Sequence, residues 1–444
     1  MKMKIYNTLT GDKEEIKPVN KEEISIYVCG PTVYGPDHLG HARTWIFFDW
    51  LRRYFEAEGE KVKFIQNITD VGSLVGDEEE GPDKIEKEAK AEGKTPEEIA
   101  RFFEAEHIKD LAALNIEKPD YLPRATDNIQ EIIAFIKVLI DKGFAYEKSG
   151  NVYFEVEKLP TYGELSGRKL DEMLEGTRIT NDPEKKNAYD FALWKKADGH
   201  IQKWPSPWGE GYPGWHIECS VMSSQLLGQP FDIHGSAVEH VFPHHENEMA
   251  QSRAYAGKPL ANYWIHSGML NIDGVKMSKS KGNYITVKDV LKEYSPDIVK
   301  LAFMQSLWSK PADWGKSAIF EATKLDEKLL RAKSDPSVGA SDFQAKLKEI
   351  LDDNFNTPKA LVLINEKIGQ MTAGDYEYLE KIFGLELKPN EVKLTPEQDK
   401  MVFNREEARK DGDFELADKL RQELAKDGIM IEDTEEGTIV RSRG

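Results

Sequence analysis

Residues 24–43 read ISIYVCGPTVYGPDHLGHAR. The apolar run at 24–28 stops at Cys29-Gly30-Pro31, the pattern of a buried strand that ends in a turn. After a Gly- and Pro-rich loop, apolar residues over 43–58 recur at helical spacing, and 62–65 reads as the next strand. Strand, loop, helix and strand in that order open a parallel α/β sheet. The loop meets the helix at His38-Leu39-Gly40-His41. Histidines three apart share a helix face, and a helix start offers unpaired N–H groups and a positive dipole end to phosphate. Gly40 leaves a nucleotide room to approach the backbone. On its own, so short a motif is more often a structural pair than a phosphate site.

Outward from this unit the chain changes texture in blocks. Residues 77–110 are dominated by Glu, Lys and Ala, which reads as a charged, solvated helical surface. Between 119 and 213 come a helix (129–142), the alternating strand NVYFEVEKL (151–159) and the loop SPWGEGYPGW (206–215). This block reads as an insertion between two halves of one nucleotide-binding fold. Helical patterns return at 216–227 and 243–256, with Pro243 suited to a first turn, and FDIH (231–234) is a strand between them. Past Asp313 long charged helices run to about 387, and the last fifty residues combine a helical stretch (398–426) with strand-like IMIED and TIVR. The expected α/β architecture is a Rossmann-like parallel-sheet domain in two halves, 1–118 and 214–314, split by a connective insertion at 119–213. A helical bundle (315–390) and a small C-terminal α/β module (391–444) follow.

A chain of 444 residues is long enough for about three domains, and 39% hydrophobic residues is a globular composition. A net charge of −19 argues against a general polycation that coats nucleic acid or anionic membrane, though not against a local basic groove. Two cysteines exclude a disulfide framework and point to a reducing compartment. No apolar run approaches the ~18 residues that span a bilayer, and MKMKIYNTLTGDKEE lacks the apolar centre of an export signal. The expectation is a cytoplasmic, monomeric protein without membrane contacts.

The second chemical motif is Lys276-Met277-Ser278-Lys279-Ser280-Lys281-Gly282, a cationic loop suited to a polyphosphate whose charge redistributes. By itself it reads equally as a solvated basic loop. About 240 residues after the histidine pair, it completes a combination that resembles the paired motifs of class I aminoacyl-tRNA synthetases. That resemblance implies ATP, as its Mg2+ complex, activating an amino acid. His38, His41, Lys276 and Lys279 would stabilise the departing pyrophosphate, with Gly40 beside the nucleotide.

A third constellation is dispersed. His244 and Glu248 of PHHENE stand at i, i+4 on one helix face, as do Trp215 and Cys219 of GWHIECS, while Cys29 ends the first strand. Two thiolates, an imidazole and a carboxylate could form a tetrahedral zinc site. Each residue also has an ordinary reading, the cysteines as small buried hydrophobes and the HHENE start as a helix cap.

CGPTVYGPDHLGHAR, NITDV, GWHIECS, FPHHENEMAQS, LNIDGVKMSKSKGN and the terminal REEARKDGDFELADKLRQEL together closely resemble the cysteinyl-tRNA synthetase family, from about residue 4 to the C-terminus. The resemblance implies zinc on Cys29, Cys219, His244 and Glu248, a pocket for L-cysteine lined by Thr69 and Trp215, and cysteine tRNA as acceptor. Zinc prefers soft sulfur to a serine hydroxyl, whereas shape alone rejects an isostere only ~10–100-fold, so no editing domain is needed. Three departures stand out. His234-Gly235-Ser236-Ala237-Val238-Glu239 replaces the family's glycine-rich HGGG and Asp near adenosine. An acidic stretch follows NITDV before Asp83, and Val440 occupies the place of a family Trp that could stack on a base. Arg405, Arg409, Lys410, Lys419, Arg421, Lys426, Arg441 and Arg443 are cations enough for a phosphate-binding surface on the terminal module. Two rivals share the fold: a cysteine–aminosugar ligase, which should lack that module, and a catalytically silent regulatory paralogue, which should have lost a motif residue.

Overall fold

The computed structural model describes residues 2–72, 83–169, 183–278, 281–388, 394–426, 429–434 and 437–442. Lys279, Arg443 and the acidic stretch at 73–82 lie outside the described residues.

The opening unit folds as β1 (Ile24–Val28), α1 (Leu39–Ala57) and β2 (Val62–Gln66). The helix starts four residues earlier than its apolar spacing predicts, because the His38 ring caps it: His41 N–H donates to His38 Nδ1 at 3.1 Å. Helix α2 (Pro96–Ala113) begins with a capping box between Thr95 and Glu98. The charged 77–110 segment is more than a solvated surface, since α2 buries Ile99, Ala100, Glu104, His107, Asp110 and Leu111. Helix α3 (Trp215–Leu227), β3 (Phe231–Ala237), α4 (Glu246–Ala256) and β4 (Ala261–Ser267) form the second half.

The four strands make one parallel sheet in the order β4-β3-β1-β2. From β1 the chain steps one way to β2 and later enters on the other side at β3. The carboxyl ends of β1 and β3 therefore flank a topological switch point, the place where open α/β sheets bind ligands. Register sets Tyr27 beside His234 and Val28 beside Gly235. Helix α1 is buried on nearly all sides. Leu39, Ile46 and Phe48 belong to the core it shares with Ile26, Ile233 and Ile265 of the sheet. Phe47 stacks on Trp308 at 4.6 Å, and Trp50 Nε1 donates to Phe383 O at 2.9 Å.

The insertion carries a five-stranded antiparallel sheet and the helix Ile129–Asp141. Its strand at 151 is shorter than its alternation predicts, ending at Phe154 before a single turn at Val156–Lys158. Its core takes in Ile217 and Val221 of α3 and Ala250 and Ala254 of α4. Each helix is thus clamped on one face, which leaves Trp215 with Cys219, and Glu248, on another. Helix α4 begins at Glu246 rather than Pro243, after a five-residue wide turn in which Phe242 is extended.

Past residue 314 run the helices Lys316–Ser334, Phe343–Asp352, Thr357–Lys367 and Ala373–Phe383. They share the main core with α1. The terminal module is a helix pair, Pro396–Lys410 and Phe414–Lys426, with a hairpin of Ile429–Thr434 and Gly437–Ser442. It has its own small core, Val402, Leu424, Ile429 and Ile431. Two sequence expectations change here. Val440 packs against that core, so its position supports the module from inside. Arg405 is only 1% exposed, so the long guanidinium chain belongs to the interior and leaves the set of surface cations. Phe403 and Phe414, by contrast, are 60% and 62% exposed.

Candidate active site

A cleft of about 340 Å3 opens at the switch point, lined among others by Cys29, His38, His41, Thr69, Trp215, Cys219 and His244. That volume lies within the usual range of small-ligand sites. Glu248, fully buried, stands behind the lining against His244, and Gly40 and Lys276 are likewise outside it.

At one end, ligand atoms of Cys29, Cys219, His244 and Glu248 all lie within 4.8 Å of one another, and all four residues are buried. His244 Nε2 is 2.9 Å from Glu248 Oε1, and Cys29 Sγ is 4.0 Å from the same oxygen. Each arrives from a different element: the end of β1, the face of α3, the wide turn and the first turn of α4. Burial alone would raise the Cys29 thiol, but the hydrogen bond from Cys219, with His244 beside it, brings it down to about 6. Cys219 moves up, because it donates to Cys29 and is itself buried. Burial opposes charge on His244 and Glu248 as well. Their mutual attraction wins, holding the imidazole up to about 10 and, with His234, the carboxyl down to about 2. A buried cluster of paired charges with soft donors within an ångström or so of tetrahedral spacing fits a zinc ion.

The sequence reading missed the residues behind this cluster. His234 Nε2 sits 2.7 Å from Glu248 Oε2, and His245 Nε2 sits 3.1 Å from Cys29 Sγ. Cys29, His234, His245 and Glu248 in fact form a second four-donor group of similar size. His245 Nδ1 continues to His266 Nε2 at 2.8 Å, and His266 Nδ1 to Thr8 Oγ1 at 2.8 Å. The signal available was the register of FDIH on β1 and the adjacent His pair in PHHENE.

The wall carries the expected pocket residues. The Trp215 ring lies 4.6 Å from that of His244, centroid to centroid. Thr69 donates its hydroxyl to Glu218 Oε2 at 3.0 Å and receives Asn67 Nδ2 at 3.2 Å. Burial raises the Glu218 carboxyl well above its ordinary value, against the opposing hydrogen bond from Thr69. At the end of β3, Gly235 is required by packing, since a Cβ there would lie 2.0 Å from the Phe48 ring. Ser236, in place of the family glycine, is buried with its Oγ 2.5 Å from His240 Nδ1.

At the other end, the His38 and His41 rings stack at 3.5 Å. A Cβ on Gly40 would meet His38 Nδ1 at 3.0 Å and Met277 Cε at 3.1 Å, so glycine lets the two motifs touch. Lys276 is paired with Glu239 across the cleft mouth. Ser278 N–H donates to Asn283 Oδ1 at 2.9 Å, and Asn283 Nδ2 reaches back to Lys276 O at 3.2 Å. The structure thus brings His38, His41, Thr69, Trp215, Cys29, Cys219 and His244 to one cleft, with Glu248 buried against that cluster and Gly40 and Lys276 at the edge; Lys279 lies beyond what it describes.

Comparison with known proteins gives this arrangement its context. Residues 15–324 match the family described as "tRNA synthetases class I (C) catalytic domain", and residues 391–441 match "Cysteinyl-tRNA ligase anticodon binding domain". The Cysteine--tRNA ligase of Chlorobaculum tepidum is 41% identical over 98% of this chain and 97% of its own. That of Thermococcus gammatolerans is 42% identical over 99% of both. Among solved structures, Mycobacterium tuberculosis methionyl-tRNA synthetase in complex with methionyl-adenylate superposes with a TM-score of 0.55, covering 86% of this chain and 84% of that one. At 15% identity that likeness speaks for the fold alone. The fold, the two motifs meeting over Gly40 and identity along the whole chain place this protein in the cysteine–tRNA ligase family of class I tRNA synthetases.

Proposed function

We propose that the protein is a cysteine–tRNA ligase. Cysteine carboxylate attacks the α-phosphate of ATP, breaking the bond to the β-phosphate and releasing pyrophosphate. The terminal ribose hydroxyl of cysteine tRNA then takes the cysteinyl group and AMP leaves. What carries this reading is the convergence of two cysteines, a histidine and a glutamate on the cleft that holds the HLGH motif, in a chain 41% identical to a Cysteine--tRNA ligase over 98% of its length.

We assign Cys29, Cys219, His244 and Glu248 as the zinc ligands. Bound there, zinc would supply a soft, Lewis-acidic partner for a thiol that a serine hydroxyl cannot match. His234 and His245 hold Glu248 and Cys29 in orientation from behind, as the outer partners of metal ligands do. Trp215 and Thr69 wall the amino-acid pocket. His38 and His41, at the start of α1, face the triphosphate, and we assign Lys276 and Lys279 to the departing pyrophosphate with them. With no side-chain nucleophile required, positioning and electrostatics provide the acceleration. Among described residues no helix is long and apolar enough to cross a membrane; we place the protein in the cytoplasm as a monomer, with domain limits as read from the sequence.

The rivals find no support. Residues 391–441 match an anticodon-binding domain, which an aminosugar ligase would not need, and no signature His or Lys and no candidate zinc ligand is missing. Cysteine-dependent ATP–pyrophosphate exchange, followed by charging of a cysteine tRNA transcript, tests the reading. Exchange without charging, but with an aminosugar accepted, would replace it.

A further inference from the structure

Beside the HLGH motif lies a buried polar pair, one member of which, Asp37, reaches the cleft lining, and the reaction as described does not use it. Asp37, 5% exposed, and His107 of α2, 2% exposed, meet with His107 Nδ1 at 2.6 Å from Asp37 Oδ2. The other ring nitrogen of His107 is 3.0 Å from Gln66 Oε1, at the end of β2, and the Trp45 ring lies edge-on at 4.6 Å. The carboxylate is therefore gripped from α2 and β2 at once. Its backbone is fixed too, since Val287 N–H, just after the lysine-rich loop, donates to Asp37 O at 3.0 Å.

The free carboxylate oxygen points to the phosphate machinery. Asp37 Oδ1 stands 3.7 Å from His41 Nδ1, and that nitrogen is buried with no hydrogen-bond partner. Yet the His41 side chain is 43% exposed and lines the cleft, so its exposed edge is the one away from Nδ1. Burial works against charge on Asp37, but the hydrogen bond from His107 and the nearby His41 hold its carboxyl well below the usual range, so it is an anion. A buried anion is retained only when hydrogen bonds and partners offset its desolvation. Here one oxygen is engaged and the other aims at the catalytic histidine.

We propose that Asp37 is a positioning residue for adenylate formation. Gripped by His107, it engages His41 through Nδ1 and so turns the opposite ring nitrogen toward the triphosphate. The proposal rests on the ligase reading above and deepens it. An imidazole held between a carboxylate and a phosphate donates toward both, the arrangement that favours a fixed ring over a rotating one. His107 acts one step further out, by preventing Asp37 from rotating to solvent.

The test uses full-length protein and cysteine-dependent pyrophosphate exchange, with four variants: Asp37→Asn, His107→Phe, His41→Ala and the double Asp37→Asn/His41→Ala. Asp37→Asn keeps the shape and should lower kcat by about 10- to 100-fold, the scale of losing precise orientation, with the KM for cysteine within about twofold. His107→Phe should give a smaller loss of kcat with the same split. In the His41→Ala background Asp37→Asn should add no further loss, since residues that act through one another are not additive. Unchanged kcat in Asp37→Asn, or full additivity in the double variant, overturns the proposal. Should thermal melting show Asp37→Asn unfolded, the same comparison is made with His107→Phe, where unchanged kcat overturns it equally. A wild-type protein without cysteine-dependent exchange would instead sink the ligase reading itself.

Discussion

The two ends of the cleft are built in opposite ways. At the thiol end Cys219 and His244 are each 2% exposed and Glu248 is fully buried, and every donor is locked by a neighbour before any ligand arrives. At the phosphate end His41 is 43% exposed, and Lys276 is spent on Glu239 with its side chain 48% exposed. The difference fits the two tasks we propose for them. Distinguishing sulfur from oxygen rewards donors that cannot relax around the wrong atom. Stabilising a leaving pyrophosphate rewards groups that engage only as charge develops, so they need freedom until then.

The largest effect should come from breaking the rigid end. Cys219→Ser or His244→Ala should abolish stoichiometric zinc, read by elemental analysis, and reduce cysteine-dependent exchange by at least about 10³-fold, since a lost ligand leaves buried charges unpaired. At the more exposed end, Lys279→Ala should cost about 10²–10³ in kcat, the scale of one preorganised electrostatic donor, while cysteine affinity measured by titration stays within about threefold. A comparable loss of cysteine affinity would erase the contrast between the ends. Removing residues 391–444 touches neither end: exchange should persist and tRNA charging should fall about 100-fold, as lost phosphate and base contacts dictate. The module's separate core makes that truncation a fair test.

The smallest expected effect concerns the support beneath α1. Lys300 is fully buried, its Nζ donating to Asn115 O at 3.0 Å and Gly384 O at 2.6 Å. Burial depresses it from 10.5 to about 8. Between those values the unfolded chain binds the extra proton, so stability rises with pH across that window and the buried charge costs about 3 kcal/mol below it. Lys300→Met should lack that rise. Urea unfolding at pH 8 and pH 10 compares the two, and parallel profiles would contradict the assignment.

Much of the fold was legible because local pattern and global architecture agree. ISIYV, the helix after HLGH, and the i, i+4 pairs Trp215–Cys219 and His244–Glu248 each declare their face from spacing alone. What stayed hidden depends on contacts far apart in sequence. Nothing near Asp37 announces His107, seventy residues on, and a Glu/Lys/Ala-rich stretch conceals the buried stripe of α2. Arg405 was counted as a surface cation because charge is visible in sequence and burial is not. Val440 was weighed as a lost stacking residue, whereas the hairpin turns it, partly buried, against the module's core. The helix at 246 began late because Pro243, His244 and His245 belong to a wide turn, which periodicity alone does not distinguish from the α-helix that follows.

The central claim is that a metal held by Cys29, Cys219, His244 and Glu248 selects cysteine. It is tested most directly by pyrophosphate exchange with cysteine and with serine, on protein stripped of metal and again after zinc is restored. The account predicts that stripping abolishes cysteine-dependent exchange, that one equivalent of zinc per chain restores it, and that the preference over serine exceeds the ~100-fold available to shape alone. Metal-free protein that still activates cysteine at the full rate, with undiminished preference over serine, would contradict it.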